Sequence, residues 1–335
     1  YHTMKAFGAL NSSIDSIVEF QTPVPQPAAD EILVRVRAVS LNPVDTKVRK
    51  SLGQKNLTTP RILGFDAAGV VEALGSDVKK FSIGDEVYYS GDVTRAGSNA
   101  EFHTVQAALV AKKPESFTFT EAAAIPLVAL TAWELLFERM TDGQIPYGTE
   151  ILIINGAGGV GSALIPLAKS AGLTVIATAS RDTTRTWCQK LGADYVVNHR
   201  DPLRPQIESL GFKHFPLIAN LHDTELYWEQ TADLLAPLGA LGLIVETQNP
   251  IHIGNPFRLK SPRIVWEYMP TRSRFQTPDM KRQGEILQEI AKRCDAGTFP
   301  KLNLTATELL TAKSLQAAHR QLESASSIGK VCLAL

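Results

Sequence analysis

The 335 residues exceed what one hydrophobic core usually organises, so two domains are expected, and 44% apolar with 20% charged residues excludes a disordered chain. Thirty-four basic residues balance thirty-four acidic ones with no long block of either sign, which argues against a nucleic-acid partner. No run of about 18 uncharged apolar residues occurs, so no membrane partner is expected.

Three widely spaced cysteines, Cys188, Cys294 and Cys332, fit buried thiols in a reducing, cytoplasmic compartment better than a disulfide framework. Tyr1-His2-Thr3 ahead of Met4 does not read as a signal peptide.

From Lys5 to about Lys113 the pattern is that of short strands. "EILVRVRAVSLN" alternates Val34 and Val36 with Arg35 and Arg37, and "AAGVVEALG", "GDEVYYSG" and "AEFHTVQ" follow between glycine-containing turns. This predicts a β-rich barrel or sandwich. The character changes at "TFTEAAAIPLVALTAWELLFERM", where Thr118 and Glu121 have capping-box spacing ahead of an apolar helix.

Alternating elements come next. Strands are predicted at Ile151 to Asn155, Leu173 to Ala179, Tyr195 to Asn198, "PLIANL", "LGLIVET" and "RIVWEYM", with helices from about Val160, up to about Leu191 and near "YWEQTADLLAPLG". Such alternation marks an α/β fold, a doubly wound parallel sheet with helices on both faces. A helix after Arg274, a strand, an Ala-rich helix and "GKVCLAL" are too few to stand alone and should return to the first domain. The predicted division is 1–122, 123–270 and 271–335.

Gly156, Gly158 and Gly161 form G-x-G-x-x-G, with Gly159 and Val160 between the last two, after an apolar strand and at a helix start. The first glycine permits a tight turn, the second lets backbone approach a pyrophosphate, and the third allows close helix-to-strand packing. The helix N-terminus offers free N–H groups and a positive dipole to the phosphates. Pro166, two turns into this helix, should bend it.

NAD sites place Asp or Glu at the end of the second strand to accept from the ribose 2′-hydroxyl. Here that position is Ala179, followed by Ser180 and Arg181, a hydroxyl and a permanent cation suited to a 2′-phosphate. NADPH is the predicted cofactor. The alternative is that Ser180 caps the next helix and Arg181 is a solvated charge; Asp182 is assigned to the helix start.

The stretches "VSLNPVDTKVR", "ILGFDAAGVVEALG", "GDEVYYSGDVTRAGSNAE", "AAAIPLVALTAWELL", "GAGGVG", "LGADYVVNHR" and "IGKVCL" resemble the medium-chain dehydrogenase/reductase superfamily along essentially the whole chain. Within it the chain is most similar to the zinc-independent quinone oxidoreductase branch, in the subgroup labelled zinc-type alcohol dehydrogenase-like. The resemblance implies a GroES-like β-rich catalytic domain and a Rossmann cofactor domain.

Zinc members supply a cysteine where this chain has Asn42 and a His-Glu pair where it has Phe65-Asp66. A catalytic zinc takes about three protein ligands, so no metal is expected. The four-cysteine lobe of a structural zinc is also missing.

Without a Lewis acid, the implied reaction is hydride transfer from NADPH to a quinone or α,β-unsaturated carbonyl. The resemblance places Asn42, Asp45 and Lys47 near the nicotinamide, with Asn42 donating to substrate or cofactor; Asp45 either orients neighbours or simply starts a helix after Pro43. Only one of Tyr88 and Tyr89 can face the site, and Tyr89 is preferred as hydrogen-bond or proton donor, with packing the alternative for each.

On the cofactor side the resemblance implies Thr131 with Trp133, Asn155 and Gly156 under the pyrophosphate, Tyr195 and His199-Arg200 near the adenosine, Glu246 and Thr247 ending the fifth strand, and Gly329 and Lys330 returning in the tail. "RIVWEYM" is expected to pair across a homodimer. The competing functions are a zinc alcohol dehydrogenase and a non-catalytic NADPH-binding protein.

Overall fold

The computed structural model describes residues 2–324 and 329–335. The N-terminal part carries β1 (Thr3–Ala9), β2 (Ile17–Pro23), β3 (Glu31–Leu41), α1 (Pro43–Lys50), β4 (Arg61–Ile62), β5 (Asp66–Leu74), β6 (Glu86–Ser90), β7 (Phe102–Gln106) and β8 (Val110–Lys112).

Next come α2 (Phe119–Ala123) and α3 (Pro126–Glu134). The capping box forms, with the Glu121 N–H donating to Thr118 Oγ1 at 3.1 Å and the Thr118 N–H to Glu121 Oε1 at 2.9 Å. The single helix expected beyond it is broken, because Pro126 disfavours helical backbone at the residue before it and becomes the first residue of α3.

The central part alternates β9 (Glu150–Ile154), α4 (Gly159–Ser170), β10 (Thr174–Thr178), α5 (Asp182–Leu191), β11 (Tyr195–Val197), α6 (Leu203–Ser209), β12 (Phe215–Asn220), α7 (Trp228–Leu234), β13 (Leu235–Leu243) and β14 (Arg263–Trp266). The tail adds α8 (Thr271–Phe275), α9 (Lys281–Ala296), β15 (Leu304–Leu309), α10 (Ala312–Glu323) and β16 (Lys330–Ala334).

Contacts divide the chain into two units. The first contains the residues through Leu130, Pro270–Gly297 and Lys301–Leu335; the second contains Thr131–Met269 and Thr298–Pro300. The division falls inside α3, later than the expected residue 122.

In the first unit a mixed sheet runs β15-β16-β3-β5-β6-β8, with β7 also on β3, beside a small sheet β2-β1-β4. The tail joins it directly: β16 lies antiparallel to β3, with Val331 opposite Leu41 and Cys332 opposite Ser40. Its core is built from inward side chains such as Val34, Val36, Leu41, Val71, Tyr89, Leu109 and Val331.

In the second unit six strands run parallel in the order β11-β10-β9-β12-β13-β14. This is the doubly wound order, whose strand order reverses between β9 and β12, and ligands in such sheets bind beyond the carboxyl ends of the strands. Pro166 lies buried inside α4, which continues through it to Ser170. Among the described residues no helix is long and apolar enough to cross a membrane.

Candidate active site

In the first unit a polar cluster forms where β3 turns into α1. Asn42 is the N-cap of α1 and Pro43 its first residue, a position where the missing N–H costs nothing. The Asn42 backbone N–H donates to Asp45 Oδ2 at 2.8 Å, which makes Asp45 a helix-capping acid. The Asn42 side chain donates from Nδ2 to Asp66 Oδ2 at 2.9 Å.

Asp66 opens β5 and also accepts the Leu127 N–H of α3, at 3.1 and 3.3 Å to its two oxygens. Lys330 opens β16, and its Nζ donates to Leu41 O at 3.2 Å and to Asn42 Oδ1.

All four side chains are buried. Burial pushes the Asp45 carboxyl up to about 7, opposed chiefly by the Asn42 N–H. Burial likewise raises Asp66, against Lys330, Asn42, Ser90 and Leu127, which favour its ionised form. Lys330 is pulled below the usual lysine range by burial, while Asp66, Cys332 and Asp45 support its charge. The cluster thus holds two acids and one cation away from water, each hydrogen-bonded, as buried ionisable groups require.

Three expectations change here. Tyr89 points to the opposite face of the sheet from Asp66: it pairs with Ala67 while Asp66 pairs with Ser90, and successive strand residues alternate. Its hydroxyl is spent on His103 Nδ1 at 2.8 Å and the ring lies in the core, so it is a packing residue; Tyr88 donates to Leu287 O at 2.6 Å.

Lys330, expected on the cofactor side, has its ammonium hydrogen-bonded within the Asn42 cluster of the first unit. Gly329 has a backbone reason to be glycine, with φ +90° and a Cβ that would meet Asn303 O at 2.3 Å. Lys47 is exposed on α1.

In the second unit the glycine turn follows β9. Asn155 adopts φ +66°, and its N–H donates to Thr178 Oγ1 at 2.8 Å while the Gly156 N–H donates to Thr178 O at 2.9 Å. Added Cβ atoms would meet Ala177 Cβ at 2.9 Å at Gly156, Asn155 Nδ2 at 2.9 Å at Gly158, and Gly156 O at 2.4 Å at Gly161. Gly158 caps α4, so the N–H groups of Gly159, Val160 and Gly161 form its first turn and have no acceptor within the helix.

Thr178 ends β10, and its Oγ1 lies 2.8 Å from His199 Nδ1. That oxygen also accepts the Asn155 N–H, so one hydroxyl ties the turn to His199. His199 packs beside His222 and Tyr227, and Tyr227 donates to its backbone oxygen at 3.0 Å. Burial, with His222 and Arg200 nearby, pulls His199 down to about 4, so the ring is neutral near pH 7.

Ala179 is buried just past β10, Ser180 is half-buried, and Arg181 is the exposed N-cap of α5, where Asp182 is the first helical residue. No ion-pair partner for the Arg181 guanidinium occurs among the described residues. Thr131 is buried on α3, and Trp133 packs edge-on against Phe137 at 4.8 Å.

One assignment is corrected by strand geometry, and one strand limit moves. Tyr195 opens β11, at the amino end, and its ring packs on Phe212, whereas ligands lie beyond the carboxyl ends. Glu246 is exposed in the loop beyond β13, which ends at Leu243 and not at Thr247.

Sequence reasoning missed Asp66 as the hub of the first cluster and Thr178 as the clamp of the glycine turn. An acid leading the apolar run Ala67-Ala68-Gly69-Val70-Val71 was a signal for Asp66, and nothing in the sequence marked Thr178.

Two family descriptions match the chain: an alcohol dehydrogenase GroES-like domain over residues 28–115 and a zinc-binding dehydrogenase over residues 159–282. A zinc-type alcohol dehydrogenase-like protein of Staphylococcus aureus is 42% identical over 315 residues, 92% of each chain. The 2-methylene-furan-3-one reductase of Solanum lycopersicum is 38% identical over 210 residues, 58% of this chain and 52% of its own. A solved quinone oxidoreductase from Coxiella burnetii superposes with a TM-score of 0.82 at 26% identity, covering 100% of both chains.

The zinc in one of those descriptions does not fit the residues present. Phe65 is apolar and fully buried, Asn42 has its amide oxygen on Lys330, and among the described residues no group of three or more His, Cys, Asp or Glu is placed to hold a metal. The three cysteines are separate and buried.

Proposed function

The chain belongs to the medium-chain dehydrogenase/reductase superfamily, and from that premise we propose that it is an NADPH-dependent oxidoreductase that reduces quinones or α,β-unsaturated carbonyls. The cofactor supplies a hydride, and a proton from solvent or protein completes the reduction of a quinone to a hydroquinone. The observation that carries the cofactor choice is the end of β10, where buried Ala179 replaces an acid and Ser180 and Arg181 follow.

The protein's own contributions are positional. The turn at Gly156, Gly158 and Gly161 packs too closely against its own neighbours to admit a Cβ, which fixes its shape, and the first turn of α4 offers its N–H groups to a pyrophosphate. Thr178, held by His199, fixes the left-handed Asn155 that starts this turn. Neutral His199 adds no charge at the adenosine end, so Arg181 is the cation assigned to the 2′-phosphate.

Asn42 retains one side-chain N–H beyond its bond to Asp66, which we assign to a substrate oxygen or the nicotinamide amide. The acceptor class follows from the donor set: with no metal-ligand set at Asn42 and Phe65, an electrophile already activated by conjugation suits the site better than a saturated ketone. The names of the tomato and Coxiella relatives point the same way.

We also propose a homodimer through β14, an edge strand of the parallel sheet with Trp266 and Tyr268 each 48% exposed. The cofactor assignment is tested by calorimetric titration of the protein with NADPH and NADH. NADPH binding at least about tenfold tighter supports it, and equal affinities refute it.

A further inference from the structure

We propose that the Lys330 ammonium is the resident cation of the Asn42–Asp45–Asp66 cluster, so that this chain carries a positive charge on a side chain of its own beside Asn42 and Asp66, two of the positions where zinc-dependent members of the superfamily supply metal ligands. The pocket has the donors a cation seeks: the Leu41 carbonyl, the Asn42 amide oxygen and two carboxylates, Asp45 and Asp66, both with no solvent exposure. Lys330 bonds to the first two, and its charge and those of both acids act on one another. The two acids also repel each other.

The backbone delivers the lysine there. β16 pairs with β3 so that Val331 faces Leu41, which brings Lys330 beside Asn42 at the β3–α1 turn. The strand start is fixed by the Lys330 N–H donating to Asn303 O at 2.7 Å and by Gly329 in its left-handed conformation.

With its oxygen on Lys330 and one N–H on Asp66, the Asn42 amide has a single orientation. A dication in the same pocket would meet the ammonium at once.

The test is a double-mutant cycle of Lys330→Met and Asp66→Asn, read as thermal midpoints at pH 8, beside zinc analysis of the unaltered protein. Each single change should lower the midpoint by about 5 °C or more, and the double variant should recover at least about half of the larger loss, because the opposing charges leave together. Additive losses would overturn the proposal.

Should Lys330→Met fail to fold, the cycle is read from Asp66→Asn, which keeps the hydrogen-bonding shape. A double variant less stable than Asp66→Asn, or an Asp66→Asn midpoint equal to that of the unaltered protein, then contradicts the proposal. After equilibration with excess zinc and desalting, the unaltered protein should keep less than about 0.1 equivalent at this site. One equivalent retained, and lost in Asp66→Asn, would refute it outright.

Discussion

Asn42 and Asp66 begin and end a buried link between two secondary-structure starts: the side-chain amide of the N-cap residue of α1 donates at 2.9 Å to the carboxylate that receives the first turn of α3. Replacing Asn42 with Ala leaves a buried carboxylate oxygen and the Lys330 ammonium each short of a partner. Asn42→Ala should therefore cost about 1–3 kcal/mol in urea unfolding, and turnover should fall more than NADPH affinity does.

Tyr89 and His103 give the contrasting case. Nε2 of His103 donates to Ala96 O at 3.0 Å, so Nδ1 accepts from the Tyr89 hydroxyl. Tyr89→Phe leaves that nitrogen unsatisfied and should lose about 1–2 kcal/mol of stability while keeping kcat within about twofold. A kcat loss of a hundredfold in a fully folded Tyr89→Phe protein would restore the tyrosine to the chemistry.

Stability should fall on mild acidification for a related reason. Burial pulls His103 and His319 down to about 4 from an ordinary 6.5, so between those values the unfolded chain binds more protons than the folded one. Their contribution is present in full above about pH 6.5 and lost as pH falls towards 4, at most roughly 3 kcal/mol for each imidazole. Buried Asp45, raised to about 7, works in the opposite sense, so the histidine effect is isolated by comparison with His103→Gln, whose stability should decline less between pH 6.5 and 4.5.

Gly161→Ala puts a methyl group 2.4 Å from Gly156 O and 2.6 Å from Asn155 O, both backbone atoms of the turn. The turn must move, and NADPH affinity should fall by at least about thirtyfold, a loss near 2 kcal/mol. Unchanged affinity by fluorescence titration would remove the cofactor from this turn.

Arg181→Ala should weaken NADPH by roughly 1.5–3 kcal/mol and leave NADH nearly unchanged, since the guanidinium meets only the phosphate that distinguishes them. Equal losses for both cofactors would mean that Arg181 is a solvated charge at the start of α5.

What could be seen in the sequence was whatever repeats or interrupts a local pattern. The alternation of Val34 and Val36 with arginines, the apolar strands around the glycines, and the Thr118-Glu121 spacing each report backbone geometry directly, and β3, β9 and the cap are found there. Strand ends were harder. The fifth strand was carried on to Thr247 where β13 ends at Leu243, a difference that propensity does not resolve, while Tyr195 was put near the adenosine by resemblance although its strand start was read correctly.

The side chains that depend on distant pairing were hidden altogether. Alternation says that Tyr88 and Tyr89 face opposite ways but not which of them meets the core, and the turn of Lys330 towards Asn42 comes from pairing between strands 289 residues apart.

The most direct measurement is cofactor oxidation by chelator-treated protein, with NADPH and NADH each offered an ortho-quinone, a 2-alkenal and a saturated aldehyde. The account predicts turnover with NADPH on the quinone or alkenal, little with NADH, and none on the saturated aldehyde. Activity confined to the saturated aldehyde and dependent on restored zinc would contradict it.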